Sequence, residues 1–73
     1  MKTISELLTD WEALKEHQPK DWAIPHSLKI RYWNDESVIL QELDEAGCIQ
    51  IPGETLPVRE MIAERREFIS QWA

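Results

Sequence analysis

The chain has 73 residues, of which 42% are hydrophobic, and its 14 acidic and 8 basic side chains give a formal net charge of −6. A chain of this length forms one small domain with a marginal core, because it buries only about 60% of the surface that its unfolded form exposes. The acidic balance disfavours direct binding to nucleic acids or anionic membranes, which are recognised through basic surfaces.

The first predicted element is an amphipathic helix near residues 4–17. Thr3 and Glu6 have the spacing of a capping box, in which each residue satisfies a free backbone N–H of the other. The apolar residues that follow recur at helical spacing and share one arc: Ile4, Leu7, Leu8, Trp11 and Leu14. Pro19 ends the helix, because proline disfavours a helical conformation in the residue before it.

Three β-strands are predicted after a proline-containing connector over 18–27. They are the runs "LKIRYW" (28–33), "VILQEL" (38–43) and "CIQI" (48–51). The stretches "NDES" and "DEAG" supply turn residues between them, with Gly47 in the left-handed position of a bulged hairpin loop. Two tight turns in succession indicate a three-stranded antiparallel meander.

The last predicted element is a second amphipathic helix over 56–72, with Pro57 in its first turn, where the missing N–H costs nothing. Its apolar residues also share one arc: Val58, Met61, Ile62, Phe68, Ile69 and Trp72. Arg65 interrupts this arc, so its guanidinium needs solvent, a carboxylate or a partner protein. Together the elements predict an α+β fold of order α-β-β-β-α, a single domain over 1–73 in which the meander packs with both helices.

Alternation along the strands predicts two faces of the sheet. The core face contains Leu28, Ile30, Tyr32, Ile39, Leu43, Ile49 and Ile51. The second face combines apolar side chains with cations: Lys29, Arg31, Trp33, Val38 and Leu40. If both helices cover the core face, the second face is an exposed protein-binding surface with Trp33 as its anchor. If one helix covers each face, the same residues are only packed, with the stems of Lys29 and Arg31 over the Trp33 ring.

An acidic surface is the alternative binding site. It draws on carboxylates from both helices and from the turns: Glu6, Asp10, Asp35, Glu36, Asp44, Glu45, Glu60, Glu64 and Glu67. Such a surface presents phosphate-like charge, by analogy with the DNA-mimic inhibitors of phages and plasmids. The analogy rests on charge and not on a motif, and a net charge of −6 is modest for it.

Catalysis and metal binding have little support in the sequence. Cys48, His17 and His26 fall in three different elements, whereas a nucleophile needs a base within hydrogen-bonding reach. A lone cysteine forms no internal disulfide and, with two histidines, does not complete a zinc site. We therefore expect no enzyme activity, no metal and no cofactor, and we expect Cys48 to be a packing residue.

The opening stretch carries Glu6, Asp10 and Glu12, which interrupt any apolar leader, and no apolar run approaches the roughly 20 residues that span a bilayer. These features and the low cysteine content predict a cytoplasmic protein without membrane contacts. The sequence thus favours a small protein-binding regulator or inhibitor of another protein. The marginal core is as compatible with a homodimer as with a monomer.

Overall fold

The structure, a computed structural model, describes residues 2–17 and 25–72, and within these it consists of three helices without a β-strand. Helix α1 spans Ile4–Glu16, α2 spans His26–Glu45 and α3 spans Val58–Trp72. The predicted α+β meander is therefore wrong. Most of the predicted connector, residues 18–24, lies outside the described residues.

Helix α2 is the central element, and α1 and α3 both pack against it. Asp44 near the end of α2 pairs with Arg59 near the start of α3, and His26 at the start of α2 stacks on Trp72 at the end of α3. The two helices are therefore antiparallel. The first turn of α1 lies beside the last turn of α2, so α1 also runs antiparallel to α2.

Helix α1 agrees closely with the first predicted helix. Its N-cap is Thr3, whose hydroxyl oxygen accepts a hydrogen bond from the backbone N–H of Glu6 at 3.2 Å. Leu7 and Trp11 of its apolar arc are buried. Beyond them, Lys15 forms a salt bridge with Glu54 of the segment between α2 and α3.

Helix α2 replaces the first two predicted strands, 28–33 and 38–43. Its buried residues recur at spacings of three and four, as one face of a helix requires: Trp33, Glu36, Leu40 and Leu43. The helix starts after Pro25 and is followed by Gly47, and the chain contains neither proline nor glycine between these two residues. The stretch "NDES" therefore forms the middle of a long helix and no turn.

The third predicted strand, 48–51, belongs to an irregular segment that connects α2 to α3. Gly47 does not form a hairpin bulge but ends α2 in the left-handed conformation, with φ of 91°. The backbone N–H of Cys48 donates to the carbonyl of Leu43 at 2.9 Å, and that of Gly47 donates to Asp44 at 3.0 Å. These two bonds form a Schellman motif.

The connecting segment then turns back towards α3. Gly53, with φ of 85°, occupies a tight turn in which the N–H of Glu54 donates to the carbonyl of Ile51 at 3.1 Å. An isolated antiparallel bridge joins Gln50 to Pro57 immediately before α3 begins. Ile51 is 2% exposed, so the segment contributes directly to the core.

The hydrophobic core lies where α1, the second half of α2, the connecting segment and the first half of α3 meet. It consists of Leu7, Trp11, Leu40, Leu43, Ile51, Val58, Met61 and Ile62. Of the predicted core face of the sheet, Leu43 and Ile51 are buried, Ile30, Tyr32 and Ile39 are partly buried, and Leu28 and Ile49 are exposed. Among the described helices, none combines the length and the apolar character that crossing a bilayer requires.

Candidate functional site

The first half of α2 and the second half of α3 meet along a seam of aromatic and charged side chains. We call this region the polar–aromatic end; it consists of His26, Lys29, Trp33, Glu36, Arg65, Phe68 and Trp72. Positions along each helix alternate at spacings of three and four, so they all point into the seam between the two helices. The polar–aromatic end thus continues the interface that starts in the hydrophobic core.

Four aromatic rings form the body of the polar–aromatic end. The rings of His26 and Trp72 are stacked, with centroids 4.1 Å apart and an interplanar angle of 27°. The rings of Trp33 and Phe68 meet edge to face, with centroids 4.4 Å apart. Both arrangements are favourable geometries for ring pairs. The rings therefore hold the start of α2 against the end of α3.

Two cations lie over these rings. The ammonium of Lys29 lies 4.6 Å from the centroids of both Trp33 and Phe68, and the guanidinium carbon of Arg65 lies 4.8 Å from the Trp33 ring. Each distance is within the range of a cation–π interaction. Trp33 therefore contacts two positive charges in an acidic protein.

A buried ion pair closes the polar–aromatic end on its core side. Arg65 Nε donates to Glu36 Oε2 at 3.0 Å, and the side chains of Glu36 and Arg65 are 4% and 17% exposed. A second, longer contact joins Arg65 to the exposed Glu64 at 3.3 Å. Of the three possibilities for Arg65, the structure thus shows a carboxylate partner. The sequence analysis missed this partner because it assigned Glu36 to a turn.

Tyr32 lies one helical turn before Glu36 on α2, and the charges of this ion pair affect the pKa of its phenol. Burial raises the pKa of its phenol to about 12, and the negative charge of Glu36 adds to the increase. The phenol of Tyr32 therefore stays protonated through the neutral range.

The predicted binding surface does not exist as one face. Lys29 lies over the seam, Trp33 and Leu40 are buried at 9% and 0% exposure, and Arg31 and Val38 point outward from α2. Trp33 is therefore a packed residue and not an exposed anchor. Among the tryptophans that the structure describes, the exposed one is Trp72, at 52%, although its spacing predicts a place in the core arc of the last helix.

The acidic surface is also smaller than predicted. Glu36 is buried, Asp10 pairs with Lys2 at 2.6 Å, and Asp44 pairs with Arg59 at 3.0 Å. The remaining predicted residues are exposed on the three helices: Glu6, Asp35, Glu45, Glu60, Glu64 and Glu67.

Charge is distributed unevenly along α2. Between Pro25 and Asn34 the fully charged residues are Lys29 and Arg31, and the last five residues of α3, "FISQW", carry no charge. The start of α2 also carries the positive end of the helix dipole. The first two turns of α2 therefore carry positive charge, although the polar–aromatic end also contains the Glu36–Arg65 pair and the chain as a whole is acidic.

The part of the chain that the structure describes contains no candidate metal site. No group of three histidine, cysteine, aspartate or glutamate side chains lies close enough together there to hold an ion. Cys48 is partly buried and packs against the core, as expected of a packing residue.

Comparison of the chain with protein-family models, curated proteins and solved structures gave no match. Its function therefore has to be argued from its own surfaces.

Proposed function

We propose that this protein is a non-enzymatic module that binds another protein, as its regulator or inhibitor, and that the polar–aromatic end is the binding surface. The observation that carries the proposal is Trp72, a large aromatic side chain that is 52% exposed beside the positively charged start of α2. Tryptophan is enriched among the residues that dominate binding energy at protein interfaces.

The geometry around Trp72 suits an anchor. Its ring is stacked on His26, which limits the conformational freedom that the side chain loses when a partner covers it. Leu28, two residues after His26, is 55% exposed and adds apolar surface to the same end of α2. A surface of this kind fits a partner that brings an apolar pocket for the ring.

The charges around the anchor indicate the electrostatic character of that partner. Lys29 lies over the rings and Arg31 points outward from the first two turns of α2, where the helix dipole adds positive potential. Complementary potentials speed encounter and reject partners of like charge. We therefore expect the partner to present acidic residues around its pocket.

The first prediction tests the anchor. Trp72→Ala should weaken binding by about 2 kcal/mol or more, roughly 30-fold in Kd, because it removes the central apolar contact. Tagged wild-type protein and the variant are used to capture proteins from the native host, followed by mass spectrometry and titration of the protein captured. The matched control is Leu56→Ala, which truncates another exposed apolar side chain, 39% exposed, on the connecting segment.

The capture experiment has three possible results. A protein that is retained by wild type and Leu56→Ala but lost with Trp72→Ala, and weakened by Arg31→Glu, supports the proposal. A protein retained equally by all variants overturns it. A protein lost from all of them as salt rises, and lost in variants of the exposed carboxylates, points instead to the acidic surface, because exposed charge interactions are screened by salt.

A further inference from the structure

A cavity lies at the other end of α2 from the polar–aromatic end. This cavity is an open groove of about 820 Å³ between the first turn of α1 and the last turn of α2. The residues that line it are Lys2, Thr3, Ile4, Glu6, Leu7, Glu42, Glu45 and Ala46. We refer to it as the α1–α2 groove.

The α1–α2 groove combines apolar and acidic lining. Ile4 and Ala46 supply exposed apolar surface, and Ile4 is 44% exposed there. Glu6 and Glu42 supply carboxylates from the two helices, and both are exposed. A lysine or arginine side chain matches such a lining, because its long stem is apolar and its head is cationic.

The electrostatics of the last turn of α2 strengthen this match. The turn contains Glu42, Asp44 and Glu45 and no basic residue. Negative charge near a helix C-terminus is unfavourable, because the helix dipole is negative there. Arg59 compensates Asp44 at 3.0 Å, whereas Glu42 and Glu45 face the groove. A cation bound in the groove would remove this repulsion.

The chain itself places one cation at the groove. The ammonium of Lys2 donates to Asp10 Oδ2 at 2.6 Å. Its pKa is raised first by Asp10 and further by the negative charges of Glu42 and Glu6. Lys2 therefore already feels the field of the groove carboxylates.

We propose that the α1–α2 groove binds a basic amphipathic segment of a partner protein, whose lysine or arginine heads contact Glu42 and Glu45 and whose apolar residues lie on Ile4 and Ala46. In this arrangement Lys2, whose ammonium pairs with Asp10, adds a positive charge at the groove that opposes the incoming cation. The groove and the polar–aromatic end share no residue, so this proposal does not depend on the proposed function.

The second prediction tests the groove with a defined probe, a short fluorescein-labelled peptide of lysine and leucine, titrated by fluorescence anisotropy. Glu42→Gln/Glu45→Gln should weaken binding by about tenfold or more, because it removes the two groove charges. The matched control is Glu60→Gln/Glu67→Gln, which removes the same charge from exposed positions on α3 and should change Kd by less than about twofold. Equal losses in the two double variants would mean that net charge alone drives binding, and would overturn the proposal.

Two further measurements test the apolar lining of the groove and the effect of Lys2. A peptide in which serine replaces leucine should bind about tenfold more weakly, because it buries less of the apolar surface of Ile4 and Ala46. Lys2→Ala should bind the original peptide more tightly than wild type. Equal binding of the two peptides, or no gain with Lys2→Ala, contradicts the proposed arrangement.

A stability measurement separates a binding role from a structural one. Glu42→Gln/Glu45→Gln should raise the melting temperature, since it relieves repulsion at the end of α2. A variant that loses peptide binding because it is unfolded would melt lower instead, and that outcome would count against the groove. Chemical-shift changes on peptide addition should centre on Ile4 and Ala46; changes spread evenly over all acidic positions would overturn the assignment.

Discussion

At the residue scale, Glu36 is the buried charged side chain among the residues that the structure describes. It is 3% exposed in a face otherwise made of Trp33, Leu40 and Leu43, and its carboxylate contacts Arg65. An ion pair inside an interface adds little net stability, because desolvation of both groups offsets their attraction. We expect the Glu36–Arg65 pair to fix the register between α2 and α3, since it forms only when the two helices are aligned correctly.

The third prediction follows from this pair. Glu36→Ala should lower the free energy of unfolding by about 3 kcal/mol or more, because Arg65 is left without its buried partner. The double variant Glu36→Leu/Arg65→Leu should recover most of that loss, since it replaces both charges by apolar groups. Urea unfolding followed by tryptophan fluorescence measures both values. A loss below about 1 kcal/mol in Glu36→Ala would mean that the pair behaves as an exposed one.

Tyr32 makes the stability of the folded state depend on pH in the alkaline range. Burial, assisted by Glu36, raises its pKa to about 12, above the value of about 10 that an exposed phenol has. The folded state keeps the proton at pH values where the unfolded state loses it. This contribution to stability is therefore complete below about pH 10 and is lost as the pH rises towards 12.

The fourth prediction is a direct titration, which is clean because the chain has one tyrosine. Phenolate absorbance of the folded protein should rise with a midpoint near 12, whereas the protein in urea should titrate near the ordinary value of about 10. Tyr32→Phe is the control and should lose the absorbance change. A midpoint near 10 in the folded protein would contradict the burial of the phenol.

At the element scale, the patterns of the sequence predicted α1 and α3 as helices but α2 as two strands. Thr3 as a cap, Pro19 as a stop and an apolar arc with one period give α1 a consistent pattern. In α2 the pattern is broken by Glu36, which occupies an inward position, while "NDES" has the composition of a turn. The alternation of "LKIRYW" then resembled a strand, although tertiary packing decides such short runs.

A boundary signal for α2 was nevertheless present in the sequence. Pro25 and Gly47 enclose 20 helical residues without a glycine or proline between them, and such residues mark helix starts and ends. Two strands and a tight turn over the same stretch would place a turn where neither breaker occurs. The absence of glycine and proline between Pro25 and Gly47 therefore indicates one helix more strongly than the alternation of "LKIRYW" indicates a strand.

The candidate site was predictable only in part, because its parts come from two helices. The sequence showed that Arg65 needs a partner, but the choice of Glu36 among 14 acidic residues depends on α2 being helical. The exposure of Trp72 depends on where α3 ends relative to His26. Neither fact is encoded locally.

At the scale of the whole molecule, the two proposed surfaces have opposite character. The start of α2 carries Lys29 and Arg31 and lies beside the exposed ring of Trp72, whereas the α1–α2 groove carries Glu6, Glu42 and Glu45. α2 connects them, with one surface at its start and the other at its end. The molecule is therefore electrically polar along α2, and a partner that presents both charges would bind in a single orientation.

The position of α1 has a consequence for how the protein opens. α1 lies along α2 rather than α3 and is held by Leu7, Trp11 and the ion pair of Lys15 with Glu54. The polar–aromatic end between α2 and α3 contains no residue of α1, although Leu7 and Trp11 share the core with both helices. We therefore predict that α1 detaches before α2 and α3 separate, because local openings cost less than global unfolding.

The fifth prediction is that native-state hydrogen exchange will show two cooperative units. Amides of α1 should exchange at lower denaturant than those around Leu43 and Met61, and Leu7→Ala should accelerate only the first group. Uniform exchange in all three helices would show instead that they open together. Because the groove needs α1 and the polar–aromatic end does not, mild denaturant should abolish capture of the basic peptide first. A single fold would then offer two binding surfaces with different lifetimes.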